Sequence, residues 1–327
     1  MRAPTALCLS LIAGLLACCG TALAAPKYTV TDLGTLGGTF SEAYGINANG
    51  DVVGWASTSN DEAMHAFLYS GSSMTDLGTL GGTWSLALGA NTSGQVVGWS
   101  STGSNSTERA FLYSAGAMTD LGTVGGSSSH AASINASGQV VGWSYTSGNS
   151  ATHAFLYSAG AMTDLGTLGG SSSWAAGINA SGQIVGASDT SGNSVVHAFL
   201  YSAGAMTDLG TLGGTLSTAY DINTSGQVVG LSNMSGDAIQ HPFLYSEGAM
   251  HDLLDLIDPQ WIGLVGRAGI ENIAISDTGQ IAINGMNASG EYRALLLTPT
   301  ATDIPEPTTL ALLGLGGAGL LRSRRRH

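Results

Sequence analysis

The sequence has little cysteine, and the position of its few cysteines restricts the chemistry open to the protein. All three, Cys8, Cys18 and Cys19, lie within the first 25 residues. If that segment is removed on export, the remaining chain has neither a disulfide nor a thiolate. Cysteine catalysis and cysteine-ligated metals are therefore excluded, and the fold depends on its core alone.

Basic residues are also scarce between residues 27 and 303, where the only four are Lys27, Arg109, Arg267 and Arg293. Of the 22 acidic residues, only Glu306 lies outside this range. Such a surface repels phosphate backbones, which bind to clustered lysine and arginine, so nucleic acid is excluded as a partner. Only 9% of residues are charged, but 43% are hydrophobic, which favours a folded β protein with an uncharged polar surface over a disordered chain.

Residues 1–25 have the pattern of a secretory signal peptide. Arg2 precedes an apolar run, and the small residues Ala22, Ala24 and Ala25 form the expected cleavage region for signal peptidase. Cleavage before Cys18, which would produce a lipoprotein, is the alternative. We therefore expect the secretion machinery and signal peptidase to be partners of the chain.

The C-terminal region combines a linker (300–307), an apolar segment and a cluster of arginines, the last two within 308–327. The linker contains Pro305, Glu306 and Pro307. The apolar run, residues 308–321, would span ~21 Å as a helix, short of the ~30 Å hydrocarbon core, so it is a marginal membrane anchor. The arginines would remain cytoplasmic and leave the upstream chain outside. This order resembles the PEP-CTERM sorting signal of Gram-negative bacteria, which implies transient inner-membrane anchoring and processing by an exosortase; an ordinary tail anchor is the alternative.

A 44-residue repeat fills the chain between residues 27 and 299. The segment HAFLYSAGAMTDLGTLGG occurs identically at 153–170 and 197–214. Each unit has the pattern of four short strands separated by turns that contain Gly, Asn and Ser. Residues 173–179 and 183–188 are two of these predicted strands. The Asp-Leu pairs that mark the units begin at Asp32, Asp76, Asp120, Asp164, Asp208 and Asp252.

Six four-stranded units of this length predict an all-β, six-bladed propeller over residues 27–299. Independent 44-residue domains could not each bury a core. The last unit stops after its third strand (292–299), whereas an unpartnered fourth strand (28–34) opens the first. We therefore expect residues 28–34 to complete the last blade and close the ring.

The units HAFLYSAGAMTDLGTLGG and INASGQVVGWS resemble the extracellular HAF repeats of bacterial secreted proteins. Residues 261–281 also resemble the closing unit of that family. The resemblance implies export, often with a PEP-CTERM tail, and no established activity. It therefore supplies no catalytic residues.

Two recurring positions carry side chains that could bind metal. The D-L-G aspartates could form a carboxylate ring for Ca²⁺, but ring symmetry would hold them apart, so we expect them to cap the following turn. The HAF histidines share their position with Arg109 and Arg293, which cannot act as ligands, so we expect packing or hydrogen bonding there and neither a metal nor a cofactor. These histidines are His65, His153, His197 and His241.

The variable positions after each Gly-Gly carry the predicted binding surface. Exposed aromatic rings beside Ser and Thr hydroxyls suit stacking on sugar rings or contact with a protein partner, although packing between blades is the structural alternative. The predicted ligand-binding residues are Phe40, Trp84, His130, Trp174, Trp261 and Arg267.

The leading hypothesis is a non-enzymatic protein, exported to the cell surface or extracellular matrix, that binds exopolysaccharide or surface proteins in a biofilm. No catalytic residue is assigned. The alternative is a secreted, polysaccharide-acting enzyme with its site at the propeller axis. Two converging carboxylates, or a carboxylate beside His130, would favour catalysis, whereas aromatic rings at the rim of a small-residue channel would favour binding.

Overall fold

The computed structural model of the protein describes residues 31–103, 105–265, 273–286 and 292–300. All described strands belong to one compact unit, residues 33–327. The expected signal peptide (1–25), the C-terminal anchor (308–327) and Arg267 lie outside the described residues, as do residues 28–30 of the expected closing strand. Within the described ranges, no helix reaches the length and apolarity needed to cross a bilayer.

The described residues form five four-stranded repeats and a sixth with three strands. Within each repeat the strands are antiparallel and hydrogen-bonded in chain order. The sole α-helix of the described residues, α1 (Ile262–Val265), lies between the fifth and sixth repeats. The strands are β1 (Gly37–Ile46), β2 (Val52–Thr58), β3 (Met64–Ser70), β4 (Ser73–Asp76), β5 (Gly81–Ala90), β6 (Val96–Thr102), β7 (Glu108–Ser114), β8 (Ala117–Asp120), β9 (Ser129–Ile134), β10 (Val140–Tyr145), β11 (Thr152–Ser158), β12 (Ala161–Asp164), β13 (Gly169–Ile178), β14 (Ile184–Thr190), β15 (Val196–Ser202), β16 (Ala205–Asp208), β17 (Gly213–Ile222), β18 (Val228–Met234), β19 (Gln240–Ser246), β20 (Ala249–Asp252), β21 (Ile273–Ile275), β22 (Ile281–Met286) and β23 (Tyr292–Leu297).

Local sequence explains why each strand ends where it does. The third and fourth strands of the second repeat are joined by Ala115 and Gly116, which both have positive φ (52° and 84°). Two such residues match the twist of a tight hairpin. At the other turn of the repeat, the Asn91 side chain accepts the backbone N–H groups of Ser93 and Gln95. Asn is favoured there because its short side chain can replace a backbone partner.

The hydrophobic core lies between successive repeats. Val97 and Ala110 of the second repeat pack with Ala131, Val140 and Phe155 of the third, and each of these five side chains is fully buried. The same arrangement recurs at the other junctions among the first five repeats, whereas Val229 of the fifth repeat packs with Leu253, Ile273 and Ile281 at the junction with the sixth. Because one small sheet cannot enclose a core, each repeat depends on its neighbours for stability.

The prediction of an all-β chain built from four-stranded repeats is confirmed over the described residues. Closure into a six-bladed ring stays a prediction, because the outward faces of β1 and β23 are not covered by another described strand. Ile46 of β1 is 71% exposed, although the equivalent Ile134 and Ile178 are each 8% exposed. On β23, Leu296 is 64% exposed.

Candidate functional site

One end of the repeats carries a row of aromatic and polar side chains. Because the strands are antiparallel, the start of each first strand, the end of each second strand and the start of each third strand lie at this end. In the third repeat, His130 of β9 lies directly opposite Trp143 of β10. The same register places Glu42 opposite Trp55 and Leu86 opposite Trp99. We call the following residues of this row the aromatic band: Phe40, Glu42, Trp55, Trp84, Trp99, Glu108, His130, Trp143, Tyr145 and Trp174.

The densest part of the aromatic band crosses the junction between the second and third repeats. The His130 ring stacks on Trp99, with centroids 4.9 Å apart and planes 11° apart. Its other neighbour is Trp143, at 4.3 Å and 39°, and Trp143 in turn meets Tyr145 edge-on at 5.6 Å. The His130 Nε2 atom is 2.6 Å from the Glu108 Oε2 atom. One imidazole is therefore held between two indoles and a carboxylate.

Burial disfavours the charged form of this imidazole. Burial lowers the pKa of His130 below its usual value, although the Glu108 carboxylate opposes the shift. A neutral His130 that donates its Nε2–H to Glu108 keeps Nδ1 as an acceptor. The Glu108 side chain is 43% exposed, so the cluster presents a solvent-accessible carboxylate beside aromatic rings.

The first repeat carries a simpler version of the same arrangement. The Trp55 indole N–H donates to Glu42 Oε2 at 3.2 Å. The pKa of the nearby Tyr44 hydroxyl is raised above its usual value. Burial is the larger cause, and the Glu42 carboxylate raises the pKa further. The two most exposed rings of the band, Phe40 (66%) and Trp84 (51%), occupy equivalent positions of the first and second repeats. They provide open apolar platforms next to acidic and hydroxyl groups.

The structure places four of the six predicted binding residues on the aromatic band. Phe40 and Trp84 are exposed, whereas His130 and Trp174 are partly buried. His130 and Trp174 belong to the equivalent strands of later repeats, two positions further along the strand. Trp174 lies opposite Ala187 and forms none of the ring contacts found among the described residues. Trp261 instead lies on the connection to the sixth repeat, where it lines a separate apolar groove.

Sequence reasoning missed Trp55, Trp99, Trp143 and Glu108. The motif V-V-G-W occurs in the first three repeats. The second Val of the motif, which stands two positions before the Trp, is buried against the next repeat. Alternation along a strand therefore places this Trp on the same side as that residue. No sequence spacing pointed to Glu108, because its contact with His130 comes from a different repeat.

The recurring aspartates and histidines act together as a structural pair. The Asp76 Oδ1 atom accepts the Gly78 N–H at 2.7 Å, which confirms the expected capping of the turn. The same carboxylate is 2.9 Å from the His65 Nδ1 atom. Equivalent pairs form in the third, fourth and fifth repeats. Among the described residues, no three potential His, Cys, Asp or Glu ligands converge on one point.

Comparison with known families identifies the C-terminal segment. A family model described as the PEP-CTERM protein-sorting motif matches residues 303–326. The protein is exported to the cell surface or beyond. The motif implies recognition by an exosortase and by the secretion machinery. No curated protein matches the chain.

Similar solved structures include TolB from Acinetobacter baumannii, with a TM-score of 0.45 and 12% identity; the alignment covers 75% of this chain but only 63% of TolB. A mutant Aleuria aurantia lectin in complex with Fucα1-6GlcNAc aligns with a TM-score of 0.41 and 11% identity, covering 78% of this chain and 91% of the lectin. A mercury derivative of the fucose-specific lectin from Aleuria aurantia aligns with a TM-score of 0.34 and 11% identity. The alignment covers 81% of this chain and 79% of the lectin. Likenesses at this level establish neither a shared fold nor a shared ligand.

Proposed function

We propose that this exported protein is a non-catalytic binding module that holds glycan, such as the exopolysaccharide around the cell, on its aromatic band. The observation that carries the proposal is the stack of aromatic rings formed by Trp99, His130 and Trp143. Sugar rings present apolar C–H faces that stack on indoles, and their hydroxyl groups donate to carboxylates and to a neutral imidazole. The exposed rings of Phe40 and Trp84 extend this surface along the repeats.

We also propose the route by which the chain reaches the surface. Residues 1–25 direct export, the segment 308–327 anchors the chain transiently, and exosortase acts near residues 305–307. The PEP-CTERM match supports the last step. Membership of the HAF-repeat family is part of the same proposal and is supported by the 44-residue units that fill the exported region.

We further propose that the six repeats are the blades of a closed propeller. The packing between repeats is the same at the four junctions of the first five repeats, and two apolar faces are left over at the ends of the series. Ala43 and Ile46 on β1 are exposed, although their counterparts Ala87 and Ile134 are buried. Contact between these residues and the exposed Leu296 side of β23 would create one more junction of the same kind.

Retention of the purified protein on the host's own exopolysaccharide tests the binding function. The double substitution Phe40→Ala and Trp84→Ala removes the two exposed platforms, and we expect retention to fall about tenfold per ring, on the order of 1.4 kcal/mol each. Leu216→Ala is the matched control, because Leu216 occupies the same position in the fifth repeat without an aromatic ring. Wild-type protein that is not retained, or a double variant retained as well as wild type, would refute the proposal.

A second candidate function, glycan cleavage, is favoured by one observation. The Glu108 Oε2 atom lies 2.6 Å from His130 Nε2, and a carboxylate that orients an imidazole is a common general-base arrangement. If the protein were an enzyme, incubation would shorten the polysaccharide, and Glu108→Gln would slow the cleavage by about 10² or more. Retention of the polysaccharide without shortening favours the binding module.

A further inference from the structure

The ionised side chains of the aromatic band are all acidic. They are Glu42, which is exposed, and Glu108, whose side chain is 43% exposed. His130 is the other band residue with a charged form near neutral pH, and burial disfavours that form. The band therefore presents negative charge, and no positive charge, to a ligand.

Basic residues of the chain do not neutralise these carboxylates. Residues 31–265 contain no lysine and a single arginine, Arg109, which follows Glu108 on β7. Adjacent residues of a strand point to opposite sides, and the register confirms this, because Arg109 lies opposite the fully buried Ser100 and Glu108 lies opposite Ser101. In every ion pair found within the described ranges, the basic partner is a histidine.

Each of the two carboxylates lies against an aromatic ring. Glu42 is directly opposite Trp55, and its Oε2 atom accepts the indole N–H at 3.2 Å. Glu108 Oε2 is 2.6 Å from Nε2 of His130, whose ring stacks on Trp99. A carboxylate has about four acceptor sites, so one such hydrogen bond leaves room for the donors of a ligand.

Acidic side chains of the neighbouring loops repeat this pattern beside two more rings of the band. Asp61 accepts the N–H of the residue before Phe40 at 2.8 Å. Asp189 accepts the N–H of the residue two positions before Trp174 at 3.1 Å. Negative charge therefore accompanies the rings along several repeats, which is the complement of a ligand that carries repeated positive charge.

We propose that the aromatic band selects glycans that carry protonated amino groups, such as chains of N-deacetylated hexosamine. An ammonium group is attracted both by a carboxylate and by the face of an aromatic ring, and the band holds the two side by side. Sugars with carboxylate or sulfate groups are repelled by Glu42 and Glu108. This inference rests on the proposed glycan binding and names the class of ligand.

Binding of matched oligosaccharides to the full chain tests the selectivity. A chitosan oligosaccharide, built of glucosamine, and a chitin oligosaccharide of the same length differ only in N-acetylation, and at about pH 6 the carboxylates of the protein are ionised. We expect the chitosan oligosaccharide to bind about tenfold more tightly than the chitin oligosaccharide at low salt. This advantage should shrink between ~50 mM and ~500 mM salt, because salt screens exposed charges. An acidic oligogalacturonide of the same length should not bind.

Substitutions of single carboxylates test whether the band is the source of the selectivity. Glu42→Gln and Glu108→Gln each remove one charge and keep the shape of the side chain, and each should reduce the chitosan advantage about threefold. Glu42→Gln acts outside the His130 stack, so its result does not depend on the integrity of that stack. Glu247→Gln is the matched control, because Glu247 is exposed in the hairpin between β19 and β20, at the opposite end of the repeats. It should leave the chitosan advantage unchanged.

The possible failures separate this inference from the proposed function. Equal binding of the chitosan and chitin oligosaccharides would refute the selectivity and leave glycan binding in place. Equal losses in Glu42→Gln and Glu247→Gln would show that the net charge of the chain attracts the ligand, which also overturns the inference. Retention of the host's exopolysaccharide with binding of neither oligosaccharide would refute the selectivity alone. Absence of binding to all of these glycans would refute the binding function itself.

Discussion

A ladder of asparagine side chains joins the repeats, and the replacement of Asn135 by Ala tests how much it contributes. Asn135 Nδ2 donates to Asn179 O of the next repeat at 3.1 Å and to Gln139 Oε1 at 2.8 Å. Its Oδ1 atom accepts the N–H groups of Ser137 and Gln139 at 3.1 and 3.0 Å. The equivalent asparagines of the first five repeats all reach the next repeat in this way.

The size of the expected stability loss follows from the four hydrogen bonds of the Asn135 side chain, because this residue is only 5% exposed. A typical bond contributes about 1 kcal/mol net, and a buried partner left unsatisfied costs more. Ser137 is exposed, so water can replace its lost bond. We therefore expect Asn135→Ala to reduce the free energy of unfolding by about 3 kcal/mol, and Tm by about 6–12 °C.

Denaturant unfolding followed by tryptophan fluorescence measures the effect, with Asn47→Ala as the matched control. Asn47 makes the same four kinds of hydrogen bond but is only partly buried on the first repeat. Because solvent can replace more of these bonds, we expect about half the loss. Equal losses for the two variants would show that burial does not set the contribution, and a loss below about 0.5 kcal/mol at Asn135 would refute the ladder as a stabilising element.

Three further predictions concern titration and backbone contact. The lowered pKa of His130 means that the unfolded state binds more protons, so the free energy of unfolding should fall as pH drops below about 6.5, and His130→Leu should flatten this slope. Burial raises the pKa of Asp221, which accepts the Ile275 N–H at 2.9 Å; stability should therefore fall as pH rises above about 4, and unfolding of Asp221→Gly should lack this dependence. Gly142→Ala should lower Tm by about 6 °C or more because a Cβ would overlap the His130 carbonyl, whereas Gly103→Ala, whose Cβ would make only an ordinary contact with the Gly81 carbonyl, should change Tm little.

The repeat made most of the fold accessible from the sequence. Residues 153–170 and 197–214 have the same sequence and are therefore expected to have the same local structure. The strand lengths follow from the alternation of apolar and polar residues between the predicted turns. The first strand was the least well predicted: the pattern indicated a start near residue 173, whereas β13 begins at Gly169. The extra residues pair with the second strand through a register irregularity between Gly169 and Ser173, which an alternation pattern does not encode.

The candidate site was only partly predictable, for a different reason. Phe40 and Trp84 were identifiable because they differ between otherwise copied units. The contact of Glu108 with His130 joins two repeats, and a search within one unit cannot find it. Trp261 was grouped with the other aromatic residues because it follows the same kind of connection, but the longer segment there places it in the groove of the sixth repeat.

Comparison of the repeats separates the side chains that build the fold from those free to serve another role. The buried Ala and Phe of the HAF motif and the asparagine of the ladder recur because each makes the same contact at successive junctions, and the Asp recurs because it caps the same turn within each repeat. The positions equivalent to His130 hold Glu42, Leu86, Trp174 and Thr218, which differ in size, charge and shape. A packing role repeated at every junction would demand similar volumes at these positions, whereas among these described residues only His130 is found stacked between rings of two repeats. Their diversity on a common scaffold supports the proposal that this surface makes contacts outside the chain.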